Sequence, residues 1–227
     1  VSDEARFWTA VTTGDRATVE SLVRARPELA TARRGGVSAV LLAMYHHKPE
    51  VAACLRARLE SLDIFEAAAL GEVDRVALLL GGDSGLANAV ANAVSNDGFG
   101  PLGLASFFGH EHAVQVLLAH GARVDTASSN GMRVMPLHSA AAAHSVPIAR
   151  LLLEHGAPVN ARQGGGGFGF TPLMEAAYNG QVDMVEILLQ HGADPRLRDE
   201  EGWTAADHAR AQGHASLAER LGSMACS

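Results

Sequence analysis

The stretch 171–194, TPLMEAAYNGQVDMVEILLQHGAD, carries two helical patterns that are each too short to stand alone, and that shortness constrains the whole chain. Thr171 is placed to cap a helix with its hydroxyl, and Pro172 suits the first helical position, where a missing N–H costs nothing. Leu173, Met174, Ala176 and Ala177 give that helix an apolar side, and the small alanines allow close approach of a neighbour. Gly180 supplies a left-handed stop; Val182, Val185, Leu188 and Leu189 then recur at helical spacing up to His191-Gly192. A pair of helices this short is marginal in water and cannot bury its own apolar faces, so it must stack on copies of itself.

Copies are present. With the turn residue as a ruler, equivalent slots fall at Gly14, His46, Gly71, Gly109, His144, Gly180 and Gly213, which predicts about seven helix pairs in a single domain, 1–227. Their spacing is uneven. Residues 1–62 read as atypical N-terminal capping units, 63–200 as central repeats and 201–227 as a C-terminal cap with a polar outer face. The spacing contracts before the pair at 63–80, which leaves almost no loop there. The connection 81–100 is overlong and has room for an extra helical turn, and the loops at 130–135 and 163–170 are enlarged.

Eighteen basic against 25 acidic residues give a formal charge of −7, and no basic run interrupts it, which argues against nucleic acid and anionic membrane as partners. Cys54 and Cys226 fall at opposite ends of a stacked array, so a bridge between them is not expected and a reducing compartment is. No apolar run reaches membrane-spanning length, and VSDEARFWTA has neither a basic head nor an apolar signal core. The expectation is a monomeric, cytoplasmic protein. The start at Val1 leaves open the removal of residues upstream, a signal peptide included. Lys48 is the only lysine, a habit associated with GC-rich bacterial genomes.

PLHSAAAAH, TPLMEAAYNG and three copies of HGA, which follow AVQVLLA, IARLLLE and MVEILLQ, resemble ankyrin repeats. The resemblance is specific over 97–213, fair over 63–80 and confined to helix-pair periodicity over 1–62. It implies an all-α solenoid of L-shaped units joined by short β-hairpin loops, with hairpins and first helices on a concave side that usually binds proteins. It also implies a non-catalytic interaction module. Pro101, Leu102, Pro136, Leu137, His138, Thr171, Pro172 and Leu173 match parts of the family's Thr-Pro-Leu-His start, whereas Gly100, Met135 and Met174 depart from it and interrupt its threonine–histidine hydrogen bonds.

Eleven histidines raise the question of metal or acid–base chemistry. His120, His155 and His191 occupy one slot in successive units about 8–10 Å apart, too far to share a zinc whose nitrogen ligands sit at about 2.0–2.1 Å. Their expected role is to satisfy carbonyls at helix C-termini. His110 and His112, two apart on a helix, point to different sides. The 164–167 glycine run lacks the Lys-Ser/Thr ending of a phosphate loop, and Cys54 falls in an apolar helix pattern as a core residue. No cofactor, metal or catalytic residue is expected.

The sharper feature is aromatic. Phe99, Phe107, Phe108, Phe168, Phe170, Tyr178 and Trp203 all fall in loops or at the ends of first helices, with Met132, Arg133 and Met135 beside them and Asp97 at the edge. These eleven residues are the expected contact surface for a protein or peptide of unknown identity, since aromatics with arginine are typical anchors. Alternatively the rings pack as a local core under the enlarged loops, or they form an apolar pocket there for a small molecule or an unusual enzyme, with His138, His144, Glu175 and Arg133 nearby. A self-associating structural module is a third reading.

Overall fold

The structure, a computed structural model, describes residues 2–82, 85, 98–164 and 169–225. Seven helix pairs lie among them: α1 (Asp3–Thr13) with α2 (Arg16–Ala25), α3 (Ala39–Tyr45) with α4 (Pro49–Arg56), α5 (Ile64–Leu70) with α6 (Val73–Gly82), α7 (Pro101–Phe107) with α8 (Glu111–Ala119), α9 (Pro136–Ala142) with α10 (Val146–Glu154), α11 (Pro172–Tyr178) with α12 (Val182–Gln190), and α13 (Ala205–Ala211) with α14 (Ala215–Ala225). Each first helix packs on the next, from α1 through α13, and α6, α8, α10 and α12 stack in a second layer. Fully buried alanines, among them Ala67, Ala105, Ala140, Ala176 and Ala209, line the first-helix stack and let the backbones approach. The buried core is two clusters: one runs from Leu41 to Leu221, and the other, from Phe7 to Leu55, belongs to the first two pairs. Among the described residues no helix is long and apolar enough to cross a membrane.

The helix starts follow their caps. Thr171 accepts from the Met174 N–H at 3.3 Å, and Asp63 and Glu66 form a reciprocal capping box. Gly100 and Met135 begin α7 and α9 without a side-chain oxygen, so one cap bond is missing at each. At Met135 the imidazole of His138 supplies a different bond, the reciprocal half of a capping box: its Nδ1 accepts from the Met135 N–H at 3.4 Å.

Four expectations need correction or completion. The left-handed residue of the second pair is His47 (φ 54°), not His46, because it sits as far from the start of α3 as Gly109 does from Pro101. Of the apolar positions expected in α12, Val185 and Leu188 are buried and Leu189 half-buried, but Val182 is exposed, and Met184 and Ile187 join the core with them. The only paired strands among the described residues are β1 (Arg33–Arg34) and β2 (Val37–Ser38), antiparallel across the positive-φ Gly35-Gly36, in a stretch where no hairpin is read from sequence. The enlarged loops are tied at their bases and to each other: Ser128 N–H donates to Val134 O (2.8 Å) and Val134 N–H to Ser128 Oγ (2.9 Å), Gln163 N–H donates to Phe170 O (2.9 Å), and Ser129 N–H to Gly98 O and Gly164 N–H to Met132 O (both 2.9 Å) link neighbouring loops. The extra turn expected in 81–100 falls largely outside the described residues, as does Cys226; Cys54 is a buried free thiol.

His120, His155 and His191 do what their shared slot suggests. Each Nδ1–H donates to the carbonyl four residues back, Val116, Leu151 and Ile187, at 2.8, 2.8 and 2.9 Å.

Candidate functional site

The expected aromatic surface divides into two ring clusters, and no ring pair joins them among the described residues. Asp97 and Phe168 lie outside those residues. In the first cluster Phe107 and Phe108 meet edge to face at 5.1 Å between centroids, Phe99 stacks on Phe107 at 6.4 Å, and Tyr45 lies 5.5 Å from Phe108. All three phenylalanines are half-buried. In the second cluster Phe170 lies 6.1 Å from Tyr178 and 4.5 Å from His208, with Trp203 5.4 Å from His208. Met132 and Arg133 sit exposed on the loop before α9, where the stem of Arg133 runs along Gly164, and Met135 is half-buried at the start of α9.

Tyr45 and His208 are members that the sequence reading leaves out. Tyr45, Phe107 and Tyr178 are the last residues of α3, α7 and α11, so aligning the first helices from their starts finds all three. The same alignment pairs His208 in α13 with Glu175 in α11.

The second cluster walls an open cleft of about 420 Å³ lined by Gln163, Phe170, Glu175, Tyr178, Glu201, Trp203 and His208. Tyr178 and Trp203 are each 41% exposed at its mouth. The loop that carries Trp203 is organised by Asp199. Its Oδ1 accepts from the N–H groups of Glu201 (2.9 Å) and Trp203 (2.8 Å), and its Oδ2 accepts from His208 Nε2 at 2.7 Å. Phe170 is held by its carbonyl, which accepts from Gln163 N–H and lies 3.2 Å from His138 Nε2.

Glu175 is the electrostatic centre of the cleft. Burial pushes its carboxyl up from the usual carboxylate range, against the pull of a 3.2 Å hydrogen bond from the Asn179 amide. Neither Glu175 nor Glu201 has an ion-pair partner among the described residues. Elsewhere in this half of the chain, Asp194, Asp207 and Glu186 are paired with Arg196, Arg210 and Arg220.

The pocket sketched from sequence around His138, His144, Glu175 and Arg133 does not assemble. His138 is buried, and its Nε2 is engaged by the carbonyls of Ala161 (3.1 Å) and Phe170. Burial also lowers its pKa to about 4. His144 pairs with Asp183 at 2.7 Å at the start of α12, and only Glu175 of the four lines the cleft. Among the described residues no group of three or more His, Cys, Asp or Glu side chains is arranged to hold a metal ion.

Family models described as ankyrin repeats (3 copies) and ankyrin repeats (many copies) match residues 64–163 and 163–209. No curated protein matches the chain.

Proposed function

Because the chain belongs to the ankyrin-repeat family, we propose that it is a monomeric, non-catalytic adaptor that binds a protein or peptide along the side formed by its loop tips and first helices. Ankyrin repeats generally serve as protein-interaction modules. The observation that supports this surface is the use of one slot: Tyr45, Phe107 and Tyr178 end three alternate first helices, and each joins a ring cluster on that side. Met132, Tyr178 and Trp203 are three of the few large apolar side chains exposed among the described residues, and exposed aromatics that are already held by neighbours lose little entropy on contact. A buried free thiol at Cys54 and a net acidic composition fit a reducing, cytoplasmic setting with neutral or basic partners.

The test is partner capture with the triple variant Phe107→Ala, Phe108→Ala, Tyr178→Ala, after circular dichroism has established that its helices are retained. Capture should fall at least tenfold, as expected when aromatic anchors are removed. A photo-crosslinker at Tyr178 should label the partner, and one at Leu78, on the second-helix layer, should not. Unchanged capture by the triple variant would place the contact surface elsewhere.

A further inference from the structure

The cleft at the second ring cluster has a chemistry more specific than an apolar groove. Four rings surround it: Phe170 and His208 with centroids 4.5 Å apart, Trp203 5.4 Å from His208, and Tyr178 6.4 Å from His208. His208 has its Nε2 committed to Asp199 and only 6% of its side chain exposed, so it forms the floor, while Tyr178 and Trp203 present surface at the mouth. The face of an aromatic ring carries the negative lobe of its quadrupole and attracts a cation within about 6 Å of the centroid. Two carboxylates, Glu175 and Glu201, share that space; His208 on the floor attracts Glu175 but is hydrogen-bonded to Asp199, and neither glutamate forms an ion pair with a lysine or arginine among the described residues.

Glu175 distinguishes between possible occupants. Its one hydrogen-bond donor is the neutral Asn179 amide, so an apolar side chain seated in the cleft would strip water from the carboxylate and offer nothing in return. An anion would be repelled by both carboxylates and by the ring faces. A cation with an apolar stem satisfies both halves of the lining: the stem lies on Tyr178 and Trp203, and the charge meets Glu175 and Glu201. The formal charge of −7 would favour the approach of such a ligand at long range.

We propose that the cleft bounded by Phe170, Glu175, Tyr178, Glu201, Trp203 and His208 is the seat for one cationic side chain, an arginine guanidinium or a lysine ammonium, of the polypeptide that the groove binds. The proposal rests on the reading of that side as a protein-binding surface and adds the chemistry of the residue it takes.

The chain has two tryptophans, Trp203 at the cleft and Trp8 in the buried cluster of the first pairs, so the two indole N–H signals of ¹⁵N-labelled protein give a probe and an internal control. The full chain would be titrated with N-acetyl-arginine amide, N-acetyl-lysine amide and N-acetyl-citrulline amide, the last an uncharged isostere of the first. The expected result is a saturable shift of the Trp203 signal with at least one cation, no shift of Trp8, and a response to citrulline weaker by about fivefold or more. Glu175→Gln with Glu201→Gln should weaken the cation by a similar factor; Glu201→Gln alone, at an exposed position, covers the case in which the double variant does not fold. A Trp203 signal unmoved by both cations, an equal response to citrulline, or undiminished binding by folded glutamine variants would overturn the proposal. If that happens while capture of the partner still falls in the Phe107, Phe108, Tyr178 variant, the cation seat alone is wrong; unchanged capture overturns the groove reading whatever the probes do.

Discussion

His208 Nε2 lies 2.7 Å from Asp199 Oδ2, with the aspartate side chain fully buried and the histidine nearly so. The same aspartate accepts the backbone N–H groups of Glu201 and Trp203, so one carboxylate ties α13 to the loop that presents Trp203. Asp199→Ala removes three acceptor contacts at once and leaves the buried His208 Nε2–H and two part-buried backbone N–H groups without their partner. The expected cost is about 2–4 kcal/mol of unfolding free energy, accompanied by a shift of the Trp203 indole resonance. Asp199→Asn keeps an oxygen for the two backbone donors and should lose less. Urea unfolding followed by circular dichroism measures both; an alanine variant within about 0.5 kcal/mol of the parent would remove Asp199 from this role.

Gly71 and Gly109 occupy the same turn in successive pairs, both at positive φ (69° and 77°), yet their surroundings differ. A Cβ on Gly71 would come within 2.5 Å of the His110 ring, which is itself fixed by a 2.9 Å hydrogen bond from Nε2 to Ala69 O; a Cβ on Gly109 meets nothing within 4 Å. Gly109→Ala should therefore cost only left-handed backbone strain, about 1 kcal/mol. Gly71→Ala should cost about 2–3 kcal/mol, because the ring must move and give up its bond. Equal losses in thermal unfolding would mean that His110 yields freely.

How much of this is legible in the sequence depends on whether a feature is local. The helix pairs, the Thr171 and Gly100 caps and the three C-terminal histidines are set by residues within a few positions of one another, so spacing and cap chemistry reveal them. His47 is misplaced by one residue because two adjacent histidines compete for one slot, and only the distance from the start of α3 chooses between them. The β1–β2 pair escapes notice because its strands are two residues long, shorter than any alternation that could announce them. The second ring cluster is half legible: Phe170, Tyr178 and Trp203 stand out as aromatics. That His208 lies under them, and that Glu175 rather than His138 or His144 shares their cleft, follows from the stacking of α11 on α13, which brings together residues 25 to 38 positions apart, Tyr178 and Trp203 at one extreme and Phe170 and His208 at the other.

Met174 occupies in α11 the position that His138 occupies in α9. Its thioether sulfur lies 3.5 Å from the Thr171 backbone nitrogen, where His138 Nδ1 faces the Met135 N–H, and it has no counterpart to the contact of His138 Nε2 with Phe170 O. By the same geometry one pair further on, Met174→His would place an Nε2–H near the carbonyl of Trp203, the residue before the α13 cap as Phe170 is before that of α11. A gain of about 1 kcal/mol is expected, provided the smaller ring fills the fully buried site left by methionine. A loss above about 2 kcal/mol in urea unfolding would show that the packing of Met174, not its hydrogen bond, decides this position.

The buried His138 makes the fold less stable in acid. Burial lowers its pKa from 6.5 to about 4, against the pull of the Phe170 and Ala161 carbonyls, and only 1% of the residue is exposed, so solvent screening offers little relief. Between these values the unfolded chain binds a proton that the folded one does not. Stability is therefore complete above about pH 6.5 and falls as the pH drops toward 4, by at most about 1.4 kcal/mol per pH unit and about 3 kcal/mol in all. His110, lowered by burial and against the pull of the Ala69 carbonyl, adds to the loss in the same direction. Glu66 and Glu175, raised by burial, oppose it, because their folded forms take up protons more readily. His138→Gln keeps an acceptor for Met135 N–H and a donor for Phe170 O but does not titrate, so its urea midpoint should fall less between pH 7 and pH 4.5 than that of the parent. Parallel midpoints, or an NMR titration in which the His138 ring takes up its proton near pH 6.5 in the folded protein, would sink this account.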